Sequence, residues 1–178
     1  MKATMIMVSI WAVRLAVHIG ARHKGEDYRY KIIKKRWAKC SPVGQFITSY
    51  LYIFGMQGLF SMVNNASAIY VMRYSQGGNT LSYVDLAGIM VWLIGFALEV
   101  VADAELQAHR NNPEKQGTII TTGTWRYSRH PNYFGEAFLW WGIYILSIGA
   151  GGIYTFYSAL FITLLIRYVS GVAMLERK

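Results

Sequence analysis

The chain has few of the residues on which disulfide-bonded, metal-binding or ordinary soluble proteins depend. It has a single cysteine, Cys40, which excludes an internal disulfide framework and a multi-cysteine zinc site. Charged residues make up only 15% of the 178 residues, against about a quarter in soluble domains. Hydrophobic residues make up 54%. This composition excludes a disordered chain, which needs low hydrophobicity, and argues against an ordinary soluble enzyme.

Long stretches without charge dominate what remains. Residues 40–72 and 137–166 contain no Asp, Glu, Lys or Arg, and residues 86–98 form a shorter run of the same kind. A helix crosses a bilayer with about 20 mostly apolar residues. Because a glycine-rich segment at 149–152 divides the second run, that run predicts two membrane helices.

These runs predict an all-α fold: a polytopic membrane helical bundle of about five transmembrane helices, formed by a single domain over residues 1–178. The first span is interrupted by Arg14 and His18, which share a helix face. A cleaved signal peptide is the alternative for residues 1–20, although those two residues fit it poorly. The expected spans are residues 3–20, 43–70, 84–103, 133–149 and 154–172.

The basic residues predict an orientation. Eight of the eighteen Lys and Arg lie in residues 22–39, and others lie in residues 104–132 and at the C-terminus. With five spans, these segments fall on one side, which the positive-inside rule places in the cytosol or the mitochondrial matrix. Basic residues beside membrane spans favour membrane lipids, rather than nucleic acid, as the partner.

Polar side chains are concentrated where the fourth expected span begins. Pro131 suits the first turn of a helix, and a helix start offers free N–H groups to an anion. Arginines there can bind phosphate oxygens bidentately. An interfacial anchor with snorkelling arginines is the alternative. The candidate binding residues of this segment are Arg126, Arg129, His130, Asn132, Tyr133 and Glu136.

Two acidic residues, Glu99 and Asp103, form a second candidate group. A spacing of four residues puts them on one face of the third expected span. Ionisable groups inside a membrane are costly, so they indicate function by default. They could accept hydrogen bonds from an amide or from ribose hydroxyls. A structural ion pair with Arg126 or Arg129 is the alternative.

Other chemistries find little support. The four histidines lack metal-ligand spacing, so no metal site is predicted. The chain has no P-loop and no GxSxG pattern.

Several blocks resemble one family in the same order along the chain. They are Trp11-Ala-Val-Arg-Leu-Ala, Gly25-Glu-Asp-Tyr-Arg-Tyr30, Glu99 with Asp103, Tyr127-Ser-Arg-His-Pro-Asn-Tyr-Phe-Gly-Glu136, and Ser170-Gly171 with Glu176. On these blocks the chain resembles the steroid 5-alpha-reductase-like membrane proteins. The shorter RHPxYxG core is shared with isoprenylcysteine methyltransferases and sterol reductases.

The resemblance implies a helical bundle that holds NADPH and transfers hydride to a carbon–carbon double bond of a lipid or steroid. It implies that Glu99 and Asp103 bind polar groups of the cofactor. Asn132 and Glu136 would contact its nicotinamide half. Arg126, Arg129 and Tyr133 would bind the phosphates and ribose of NADPH. His130 belongs to the same expected site and, with Tyr30, is a candidate general acid; the catalytic residues are otherwise unknown.

The chain also departs from the family pattern. It lacks the helices that usually precede the Trp11 block and the tail that usually follows Glu176, and Thr124 stands where a large apolar residue is usual. Compared with the family, it is truncated at both ends. One alternative is therefore a structural accessory subunit that works with other membrane subunits in a larger complex, for example in mitochondria. A minor alternative is a lipid methyltransferase that uses S-adenosylmethionine.

Overall fold

The computed structural model describes residues 2–22, 41–75 and 81–171. Within these residues every regular element is helical, so the predicted all-α fold is confirmed. Three helices are long and apolar enough to cross a membrane, and a shorter apolar helix follows near the C-terminus. Most of the basic segment 22–39, with Tyr30, and the C-terminal residues 172–178 lie outside the described residues. The three long helices are Lys2–Ala21, Pro42–Asn64 and Tyr83–Asn111, and the shorter one is Ile153–Val169.

Six helices follow one another along the described chain. Helix α2 contains a π-helical segment, Tyr50–Gly55, and α6 continues into another, Leu165–Ser170. Short 3₁₀ turns lie at Pro113–Lys115, Gly123–Arg126 and Ile153–Thr155. The helices are α1 (Lys2–Arg22), α2 (Pro42–Asn64), α3 (Ala66–Tyr74), α4 (Tyr83–Asn111), α5 (Pro131–Gly149) and α6 (Phe156–Leu164).

The helices differ from the expected spans at two points. The expected span 43–70 is interrupted at Asn65, where α2 ends in a turn and α3 begins. Helix α4 continues eight residues beyond the expected end at residue 103. Residues 104–111 are mostly polar, yet they include good helix formers such as Ala, Glu, Leu and Gln. Hydropathy therefore marks the end of the apolar run and misses the end of the helix.

Local side-chain chemistry fixes the helix starts. Ser82 and Asp85 form a capping box at the start of α4: the Ser82 Oγ accepts from the Asp85 N–H at 3.1 Å, and the Asp85 carboxylate accepts from the Ser82 N–H at 2.9 Å. Ser41 caps α2 by a single hydrogen bond, in which its Oγ accepts from the Gly44 N–H at 3.2 Å. Pro131 occupies the first turn of α5, where its missing N–H is not needed.

The described chain divides into two compact units. One comprises residues 6–63, which include most of α1 and all but the last residue of α2. The other comprises residues 1–5 and 64–178. Arg14 and His18 belong to the first unit, and the predicted residues from Glu99 to Glu136 belong to the second.

In the second unit, α4 and α5 make the most extensive contact. They run antiparallel and approach so closely that their glycines touch the opposite backbone. A Cβ atom on Gly95 would lie 2.5 Å from the Leu139 nitrogen, and one on Gly142 would lie 2.6 Å from the Trp92 nitrogen. Gly88 with Gly95, and Gly135 with Gly142, are each seven residues apart, which keeps each pair on one face of its helix.

A buried hydroxyl cluster joins α3, α5 and the start of α6. The Ser67 hydroxyl lies 2.9 Å from the Thr155 hydroxyl and 2.6 Å from the Ser158 hydroxyl. The Ser147 hydroxyl lies 2.8 Å from the Thr155 hydroxyl. All four side chains are buried. Such interhelical hydrogen bonds stabilise the packing of membrane helices, so this cluster holds α3 and α6 against α5.

Replacing Gly95 with alanine tests the close contact between α4 and α5. We expect the Gly95→Ala protein to lose about 1–3 kcal/mol of unfolding free energy, because the added methyl overlaps backbone rather than a flexible side chain. The measurement is reversible unfolding in detergent, followed by circular dichroism. Gly58→Ala in α2 is the matched control, since its Cβ would meet nothing within 4 Å; we expect it to be neutral or stabilising by up to about 1 kcal/mol. Equal losses in both proteins would contradict the close contact.

Candidate functional site

A buried polar group lies between α4 and α5. Glu99 and Asp103, one helical turn apart on α4, are only 3% and 7% exposed. The Asn132 Nδ2, in the first turn of α5, donates a hydrogen bond to the Asp103 Oδ1 at 3.0 Å. We call Glu99, Asp103 and Asn132 the acidic cluster. The i, i+4 spacing of the two acids predicts a shared face, and their common burial agrees with it.

Gly135 brings the acidic cluster together. A Cβ at this position would lie 2.6 Å from the Glu99 nitrogen and 2.7 Å from the Gly95 oxygen. The backbone of α5 therefore touches α4 one turn away from Asn132. At that separation a short amide side chain reaches the Asp103 carboxylate.

One acceptor atom of the acidic cluster has no hydrogen-bond donor among the described residues. The Asn132 Oδ1 is buried and accepts no hydrogen bond from the described residues. Buried polar atoms nearly always have a partner, so an atom of this kind calls for an explanation such as a bound water or ligand. A ligand with an N–H or O–H group would satisfy it.

The segment before α5 is fastened to the end of α4. Both the N–H and the hydroxyl of Thr124 donate to the Glu105 Oε2, at 2.9 and 2.6 Å. The Trp125 Nε1 donates to the Ala102 carbonyl at 3.0 Å. Gly123 has a φ of +60°, and a Cβ there would overlap the Glu105 carboxylate, so only glycine fits this turn. These contacts fix the segment that holds Arg126 and Arg129.

The arginines of this segment lie on different cavities. Arg129, His130 and Tyr133 line a cavity of about 350 Å³ between the start of α5 and the end of the α6 helix; Arg167 lines it too. We call it the basic cavity. Inside it the His130 and Tyr133 rings stack, with centroids 5.7 Å apart.

Arg126 lines a second cavity of about 880 Å³, together with Glu105 of α4. We call it the loop cavity. Ser128 and Phe134 line both cavities, so the two are neighbours.

Seven of the eight predicted binding residues therefore fall into three places. Glu99, Asp103 and Asn132 form the acidic cluster. The basic cavity and the loop cavity take four of the others. Glu136 is half-buried on α5, one turn after Asn132, and lines neither cavity. No group of three or more His, Cys, Asp or Glu that could hold a metal ion occurs in the part of the chain that the structure describes.

Sequence reasoning missed Arg167 and the contact between Glu105 and Thr124. Arg167 lies inside the fifth expected span, and a charge within an apolar helix is a signal that could have singled it out. Glu105 is not among the predicted site residues, and Thr124 is singled out in the sequence only as a departure from the family pattern. Their contact across nineteen residues cannot be read from local spacing.

The comparison with protein families matches nearly the whole chain. The model of the DUF1295 family, described as a protein of unknown function, covers residues 2–178. The chain belongs to the DUF1295 family. No solved structure matches this DUF1295 protein.

Two curated relatives are longer than this DUF1295 chain. The uncharacterized protein C594.04c of Schizosaccharomyces pombe is 24% identical in an alignment of 160 positions that covers 77% of this chain and 45% of the relative. The probable O-methyltransferase ustE of Ustilaginoidea virens is 33% identical over 86 residues, which are 48% of this chain and 30% of the relative. The matched segments thus cover less than half of either relative.

Removing the Glu105 carboxylate tests whether it holds the segment before α5. In the Glu105→Ala protein, Thr124 loses the acceptor for two hydrogen bonds, each worth about 1.5–3 kcal/mol when one partner is charged. We expect trypsin to cut after Arg126 and Arg129 several-fold faster in detergent. Glu114→Ala is the control, since Glu114 lies in the neighbouring 3₁₀ turn and is exposed. Unchanged cleavage in Glu105→Ala would show that the segment is held by other contacts.

Proposed function

We propose that this protein is a membrane-embedded enzyme that uses NADPH to reduce a carbon–carbon double bond of a lipid or steroid. The proposal rests on one observation, the buried acceptor of Asn132 within the acidic cluster. The resemblance of Ser128–Glu136 to the steroid 5-alpha-reductase-like proteins supports it. When bound, NADPH would supply the hydride.

The residues of the acidic cluster suit the polar groups of that cofactor. The Asn132 Oδ1 needs a donor, and the nicotinamide carboxamide has an N–H to give. Glu99 and Asp103 offer carboxylate oxygens, which accept hydrogen bonds from ribose hydroxyls. Glu136 lies one turn along α5 and would serve the same half of the cofactor. Arg126, in the segment fastened to α4, would bind phosphate oxygens.

The loop cavity suits an apolar substrate. The loop cavity has a volume within the usual range of about 300–1,000 Å³ for small-molecule sites. Leu98, Pro131 and Phe134 give it an apolar wall. We place the hydrophobic part of the substrate there. The proton donor is unassigned, because Tyr30 lies outside the described residues and His130 lies on the basic cavity.

We also propose that the basic segments 22–39 and 104–132, with the C-terminus, face the cytosol or the mitochondrial matrix. The positive-inside rule supports this orientation. It would put the acidic cluster near the side on which soluble NADPH is available.

A second candidate function is methyl transfer from S-adenosylmethionine to a lipid. One finding favours it: the relative from Ustilaginoidea virens is named a probable O-methyltransferase. This cofactor also presents ribose hydroxyls, so the same carboxylates could bind it. The two functions are therefore separated by cofactor preference.

Cofactor titration tests both functions. The full chain, purified in mild detergent, is titrated with NADPH, NADP and S-adenosylmethionine by isothermal titration calorimetry. We expect NADPH to bind with about micromolar affinity. Asn132→Ala and Asp103→Asn should each weaken binding about tenfold or more, because the first removes the acceptor for the carboxamide and the second removes the carboxylate that accepts from ribose hydroxyls. Asn111→Ala is the matched control, since this asparagine also makes one side-chain hydrogen bond, to Gln107 at 3.1 Å, but lies at the end of α4.

Other outcomes would redirect the assignment. Binding of S-adenosylmethionine alone would replace the reductase with the methyltransferase. A folded protein that binds none of the three compounds would contradict both functions and favour a structural accessory subunit.

A further inference from the structure

The basic cavity changes from charged to apolar along its length. Of its lining residues, Arg129 precedes α5 and Arg167 lies near the end of the helix Ile153–Val169, so the chain brings both to the same end of the helix pair. Because α5 leads away from that end and α6 returns toward it, Ala137 and Thr163 lie about one helical turn, roughly 6 Å, further in. Phe134 and Ile166 line the space between. The cavity therefore offers two cationic groups at one end and an apolar wall beyond them.

The charged residues that line the basic cavity are all basic. None of the described residues that line it is acidic, while two are arginines and one is a histidine. Guanidinium groups bind phosphate oxygens with two parallel hydrogen bonds. The cationic end therefore complements a phosphate group rather than a cation or a neutral head.

The apolar helix beside the basic cavity indicates whether the phosphate belongs to a lipid or to a soluble compound. Leu164 and Tyr168 follow the lining residues Thr163 and Arg167 in the chain, and both are exposed on the apolar helix Ile153–Val169. Arg167 lies in the last turn of this helix, where a long cationic side chain can snorkel toward lipid headgroups. An acyl chain can follow the apolar wall from there, whereas a soluble phosphate compound leaves that wall unused.

We propose that the basic cavity binds an anionic phospholipid. Its phosphate lies between Arg129 and Arg167, and the upper part of one acyl chain lies against Phe134, Ala137 and Thr163. The cavity, about 350 Å³, is at the small end of ligand sites. It therefore takes the phosphate and the start of a chain, and the rest of the lipid stays in the bilayer. This site shares no residue with the acidic cluster, and the proposal does not depend on the proposed reaction.

Native mass spectrometry of the full chain in dodecyl maltoside tests the proposal. The probes are dioleoylphosphatidylglycerol and dioleoylphosphatidylcholine, which share acyl chains and differ in net charge. We expect phosphatidylglycerol to bind about tenfold more tightly, because the choline cation offsets the attraction of the arginines. In Arg167→Ala and in Arg129→Ala the two lipids should bind within about twofold of each other.

Arg73→Ala is the matched control. Arg73 lies at the end of α3 with its guanidinium 5.6 Å from the ring of the next residue, as Arg167 lies 5.9 Å from the Tyr168 ring. Arg73 lines neither the basic nor the loop cavity, so its loss should leave the lipid preference intact. A preference that survives in Arg167→Ala, or is lost equally in Arg73→Ala, would overturn the proposal.

A second variant separates a phospholipid from a soluble phosphate. Ala137→Phe fills the apolar end and leaves both arginines in place, so we expect it to weaken phosphatidylglycerol binding about tenfold. Inorganic phosphate and NADPH are the competitors. If either displaces the lipid and itself depends on Arg167 but not on Ala137, the cavity binds a soluble phosphate compound and the lipid assignment is wrong. Failure of both lipids to bind would also overturn it.

Discussion

The second unit of this protein depends on the backbone contact between α4 and α5. Helices packed through larger side chains lie about 8–10 Å apart. Here glycines on both helices remove those side chains, and the backbones touch at Gly95 and Gly135. Only at this separation does the short amide of Asn132 reach the carboxylate of Asp103. The geometry of the acidic cluster is therefore a consequence of residues that have no side chain.

Two buried polar clusters that involve α5 differ in how completely their hydrogen bonds are paired. Near the end of the helix, Ser147 and its hydroxyl neighbours all have partners within the protein. Near its start, the Asn132 Oδ1 has none among the described residues. A fully paired cluster stabilises the packing, whereas an unsatisfied atom in a low-dielectric interior costs free energy. The hydroxyl cluster therefore joins helices, whereas the acidic cluster has an acceptor that a bound water or ligand would satisfy.

Much of the fold could be predicted from hydropathy, but contacts between distant segments could not. The charge-free runs locate α2, α4 and α6, and the spacing of Glu99 and Asp103 predicts their shared face. The break at Asn65 and the extension of α4 depend on turn geometry and helix propensity within polar sequence, which hydropathy does not measure. The cavity formed by Arg129 and Arg167 joins residues far apart in the chain, so only packing reveals it. The cofactor and substrate remain predictions.

The glycine contact also changes what a shared motif means. Gly135 is the last residue of the RHPxYxG core, and its place against the backbone of α4 is a matter of clearance between two helices. Any protein that keeps this crossing needs a glycine there, whatever bond it makes or breaks. A shared RHPxYxG core thus indicates that two chains have the same distance between these helices, and it does not by itself indicate the same reaction. Their chemistry has to be read from the side chains that this distance brings within reach.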